Sequence, residues 1–154
     1  MSFDEVMQEI LETFYKPEAI YLQRIMAYVP ENKYLSGVFY VPLLPSYSVQ
    51  PINYVTAEQY VRCLSQLSYV LVGMLIKHEI LQFGTADYAA FKQLVADCKL
   101  YFLRTDLSYR QKVLRDEPFG LKLTLIAQGS LRQLHTCTLK VEGVVRGELE
   151  LCGG

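Results

Sequence analysis

From Tyr54 to His78 the chain reads YVTAEQYVRCLSQLSYVLVGMLIKH, and apolar residues return at Tyr60, Leu64, Leu67, Leu71 and Met74. Steps of four and three predict a helix over 56–78 with one continuous apolar face. Thr56 and Gln59 have the spacing of a capping box, in which a hydroxyl and an amide satisfy each other's free backbone donors. At about 100° per residue, Glu58, Arg62, Ser65, Gln66, Tyr69 and Gly73 make a second, polar stripe opposite the apolar one. Buried polar groups persist only when they are paired. The stripe therefore reads either as packing against a partner subunit or as one wall of a ligand site. The two readings coincide when a site lies between subunits.

The other segments follow the same logic. Phe3, Val6, Met7, Ile10, Leu11 and Phe14 give an amphipathic helix over 2–14, started by a Ser2–Glu5 capping box and stopped before Pro17. Strand formers over 19–29 and 34–44, joined by the turn residues Pro30 to Lys33, predict a hairpin, with Gly37 expected at a bulge. Pro42, Pro45 and Pro51 break the next stretch into a loop rich in Ser and Tyr, and such loops often carry function. Phe83, Gly84 and Thr85 are expected to end the long helix and cap a second one over about 86–97. Beyond it the period shortens to two: strands are expected over 99–104, 121–125, 131–142 and 144–151, with turns at Gly129–Ser130 and Gly143.

This order predicts an α+β protein, one domain over 1–154, in which an antiparallel sheet wraps a long central helix: the hot-dog fold. A net charge of −1 without a basic cluster argues against nucleic acid as a partner. The N-terminal MSFDEVMQEI has acids where a secretory leader has bases, and no apolar run approaches about 20 residues, so a cytoplasmic protein without a membrane span is expected. Cys63, Cys98, Cys137 and Cys152 are far apart and read as free thiols; with His78 and His135 isolated, they form no metal-ligand pattern. No glycine-rich phosphate loop is present, so no cofactor is expected.

TAEQYVRCLSQLSY, through Ala57, Cys63, Gln66, Leu67 and Tyr69, resembles the motif HFNAVExxxCFNQLAY of the FcoT-like (type III) fatty acyl thioesterases, a hot-dog family. Gly37 to Phe39 is similar to that family's second strand and RGELEL to its last. The resemblance implies acyl-thioester chemistry on coenzyme A or acyl carrier protein, in a homodimer or higher homo-oligomer. It also implies a site built on tyrosines at the positions of Tyr15 and Tyr47. The family's two asparagines fall at Thr56 and Ser65, and its motif histidine and glutamate at Tyr54 and Gln59.

The candidate catalytic residues are thus Tyr47, Tyr15, Ser65, Thr56 and Glu58, with Gln66, Tyr69 and Tyr54 as substrate-binding candidates. Thr56 is first an N-cap, but a helix start also offers free N–H groups to a thioester carbonyl. Glu58 is the carboxylate in the first turn and the candidate base, although pairing with Arg62 and with the helix dipole would also explain it. Thr56 and Ser65 lie roughly 180° apart on the helix. They can share a site only if Thr56 acts at the cap or if two subunits contribute. Hydrolysis of a fatty acyl thioester is the expected activity. The alternatives are addition to, or dehydration of, an acyl thioester (the enoyl-thioester glycine addition type), and a non-catalytic protein that binds an acyl thioester or acyl carrier.

Overall fold

The computed structural model describes residues 1–43, 49–50 and 52–154. Its elements are α1 (Phe3–Leu11), β1 (Leu22–Val29), β2 (Tyr34–Phe39), α2 (Ala57–Lys77), α3 (Tyr88–Ala96), β3 (Leu100–Tyr109), β4 (Phe119–Leu131), β5 (Leu134–Gly143) and β6 (Val145–Gly153). The six strands form one sheet in the order β1-β2-β4-β5-β6-β3, and every neighbouring pair is antiparallel. The described chain is therefore α+β, with three α-helices and one antiparallel sheet.

Both expected capping boxes form. Ser2 and Glu5 close the start of α1, and Thr56 and Gln59 that of α2. The 21-residue α2 touches β1, β2 and β4 on one side and α1 and α3 on others. Its residues 66–76 are all buried. Leu64, Leu67, Leu71 and Met74 supply its apolar face, and Leu121, Leu123 and Leu125 alternate inward from β4 to meet the same core. Gly73 lets the helices approach: a Cβ there would stand 2.6 Å from Ile10 Cδ1 and 3.1 Å from Phe91 Cε1.

The polar stripe of α2 is covered by the chain's own residues from Gln66 onward, while Glu58 at its start is exposed. Gln66, wholly buried, accepts from the N–H groups of Tyr21 (2.9 Å) and Leu22 (3.1 Å) and donates to the Ala19 carbonyl (2.8 Å). It thereby ties α2 to the start of β1, where the ladder with β2 begins.

Several boundaries differ from the sequence expectation. α1 ends at Leu11, and the Thr13 hydroxyl donates to the Ile10 carbonyl (2.7 Å) in the turn that follows. Gly37 pairs regularly with Leu121 on one side; on the other it faces Ile25, where the irregularity belongs to β1, with register shifts between Ile25 and Ala27 and between Leu22 and Arg24. Gly37 is small because Leu22 Cδ1 would lie 2.5 Å from a Cβ there. α2 stops at Lys77, before Phe83, with Glu79 in the left-handed region (φ 61°). Asp87, not Thr85, caps α3 by accepting from the Ala90 N–H. Gly129 and Ser130 remain in the ladder, paired with Thr136 and His135, and the reversal comes at Arg132 and Gln133. β3 runs on to Tyr109 because β6 pairs with it along that length. No helix among the described residues is long and apolar enough to cross a membrane.

Candidate functional site

A cavity of about 670 Å³ opens at the head of α2. Ile52, Tyr54, Val55 and Tyr60 give it apolar walls, Thr56 and Ala57 bring the helix start to it, and Tyr109, Arg110 and Lys112 come from the end of β3 and beyond. None of its described lining residues is acidic. Thr56 is committed to capping: its hydroxyl accepts from the Gln59 N–H (3.4 Å), and its own N–H donates to Gln59 Oε1 (2.9 Å). The Ala57 and Glu58 N–H groups, the first two of the helix, find no acceptor among the described residues. Tyr54 is 43% exposed, paired as an isolated bridge with Leu114, and Lys112 Nζ lies 5.3 Å from its ring centre.

Tyr60 sits deepest. It is 3% exposed, wedged between Tyr109 (ring centres 5.7 Å apart) and Phe119 (5.5 Å, near edge-on). Its hydroxyl is buried and has no hydrogen-bond partner among the described residues. Burial, with the neighbouring Cys63 and Tyr109, pushes the phenol up to about 12, so it is a neutral O–H at physiological pH.

A second cluster lies further along α2. Tyr15, in the segment after α1, meets Tyr69 (ring centres 6.4 Å) and Phe14 (4.7 Å). Its hydroxyl lies close enough to the Ser65 side chain for that group to act on its pKa. The Ser65 hydroxyl donates to the Val61 carbonyl (3.0 Å). Burial raises the Tyr15 pKa; the charge of nearby Tyr69 adds to this, while Ser65 and Arg62 oppose it. Tyr69 donates to the Leu100 carbonyl (3.3 Å) at the start of β3, and burial also raises its pKa.

The structure thus sorts the sequence-derived candidates into two groups. Tyr15, Ser65 and Tyr69 come together; Thr56 and Tyr54 line the cleft at the other end. Glu58 lies on the exposed side of α2, 3.6 Å from Arg62, whose guanidinium also donates to the Tyr21 hydroxyl (2.8 Å). Gln66 is occupied by backbone, with one amide hydrogen to spare. Tyr47 lies outside the described residues. Sequence reading put Tyr60 on the core face and overlooked its hydroxyl; hydropathy period registers the ring and is blind to the polar tip. Arg110 and Lys112 lie between the expected strands, in a stretch with no motif to mark them. Among the described residues no group of His, Cys, Asp or Glu gathers in a way that could hold a metal. No protein-family model and no curated protein matches the chain.

Proposed function

We propose that this is a hot-dog protein that hydrolyses a fatty acyl thioester of coenzyme A or an acyl carrier protein, working as a homodimer. The observation that carries the reading is the path of the chain. It leaves the sheet at β2, passes through buried α2 and re-enters as β3 at the far edge. Tyr60 near the head of α2 then lies beside Tyr109, and Tyr69 beside Leu100 at the opposite end of the same edge strand. β3 has one neighbour in the sheet and turns Tyr101, Leu103 and Tyr109 toward water. An open edge of ten residues invites pairing. Two copies paired antiparallel about the middle of β3 set the Tyr109 end of one against the Leu100 end of the other. Each cleft then faces the partner's cluster of tyrosines and serine, and the slot between them takes the acyl chain.

In that slot the head of α2 presents N–H groups to the thioester carbonyl. Water adds to the carbonyl carbon, the carbon–sulfur bond breaks, and the products are the fatty acid and the carrier thiol. Tyr15, kept protonated by burial, donates a hydrogen bond, with Ser65 beside it. Glu58 would take the proton from water, which requires it to part from Arg62. A second reading, an acyl-thioester binding protein without turnover, is favoured by the absence of any carboxylate or histidine among the described residues lining the cleft. Thiol release from acyl-CoAs of graded length decides between them. The enzyme reading expects turnover that falls at least tenfold in Tyr15→Phe; tight acyl-CoA binding with no thiol released establishes the second.

A further inference from the structure

The Tyr60 hydroxyl belongs to no part of the chemistry described so far. A helical side chain leans toward the helix N-terminus. Tyr60 is the fourth residue of α2, so its ring lies over the first turn, where the Ala57 and Glu58 N–H groups are unanswered. Tyr109 and Phe119 fix the ring from two sides. Tyr60 and Ala57 therefore border one cavity, where the buried Tyr60 O–H and the solvent-facing Ala57 N–H, with the Glu58 N–H next to it, have no acceptor among the described residues. Buried donors without partners are rare in folded proteins. The Tyr60 hydroxyl is one, and with the helix-start N–H groups at the mouth of its cavity it calls for one oxygen atom that accepts from more than one direction. Arg110 and Lys112 at the rim, with no acid among the described lining residues, favour negative charge on that oxygen.

We propose that Tyr60 is a catalytic residue, its hydroxyl joining the head of α2 in an oxyanion site that holds the thioester oxygen during attack and the carboxylate of the acid afterwards. The chemistry assigned to the oxygen rests on the acyl-thioester reading above; the existence of an oxyanion site does not. As the thioester carbon becomes tetrahedral, its oxygen gains charge, and donors fixed in advance bind it more tightly than the ground state. Phenol is suited to this place because burial keeps its proton on.

Tyr60→Phe tests the assignment with little risk to the fold, since it removes one atom that has no partner. Two readouts are needed: thiol release from an acyl-CoA, and binding of decanoate, followed calorimetrically. The expected results are a fall in kcat of roughly a hundredfold with KM little changed, and decanoate binding at least tenfold weaker in Tyr60→Phe. Decanoate bound in a Tyr60-dependent way by a protein that releases no thiol upholds the oxyanion site and removes the thioesterase reading. Turnover that Tyr60→Phe leaves intact, or decanoate bound equally by both proteins, overturns the assignment; the hydroxyl then faces only water. Failure of the wild-type protein to bind decanoate overturns it too, whatever its turnover.

Discussion

Tyrosine hydroxyls are the recurring chemical group of this molecule, and burial sets their behaviour. Tyr15, Tyr28, Tyr60, Tyr69 and Tyr88 all have pKa values raised above the usual 10, chiefly because a phenolate inside the protein loses its hydration. At neutral pH each is a donor or a neutral acceptor, never a base. The sign of the linked stability follows: the folded state disfavours the phenolate, so the contribution is fully present below pH 10 and is lost as pH rises through about 12 for Tyr28, Tyr60 and Tyr88. Melting temperature should be insensitive to these groups up to about pH 10 and fall steeply beyond it, with their share of the tyrosinate absorbance appearing together with loss of helix. Absorbance that reaches the value for all 12 tyrosines while circular dichroism stays native would contradict their burial. Residue types at this scale were partly readable in the sequence. Tyr15, Ser65 and Tyr69 were named, and they meet. Tyr60 was assigned to the core because its position fits the apolar period, and nothing in a period reveals whether a hydroxyl finds a partner.

Among the elements, α2 is the one whose sequence and structure agree most closely. Its capping box and its apolar face could be read because each depends on residues a few positions apart, whereas the stop expected at Phe83 to Thr85 comes earlier, at Lys77. The meaning of the polar stripe could not, since Gln66 acts across 44 to 47 residues of chain. Its three hydrogen bonds satisfy backbone groups of Ala19, Tyr21 and Leu22, at the point where β1 begins to pair with β2. Gln66→Leu keeps the volume and leaves those three groups buried without partners. Chemical denaturation should show a loss of roughly 3 kcal/mol or more. A loss under about 1 kcal/mol would mean that water or a shifted β1 start replaces the amide. The end of β4 was misjudged for the opposite reason: Gly129 and Ser130 look like a turn locally, but β5 pairs with them and moves the reversal to Arg132.

For the whole molecule, strand order was beyond sequence reading, because the β2-to-β3 crossover and the full length of β3 are set by pairing with β4 and β6. The crossover separates the two candidate groups to opposite ends of an edge strand, so each copy holds two halves that do not meet within it. Joining them in a dimer is the central claim, and complementation tests it most directly. Tyr15→Phe and Tyr60→Phe would be co-produced with different tags, their heterodimers isolated, and thiol release from an acyl-CoA measured beside each parent. A composite site leaves one of the two slots in every heterodimer intact, so release should return to about half of the wild-type rate. Heterodimers as inactive as their parents, or a wild-type protein that releases no thiol, would contradict the account.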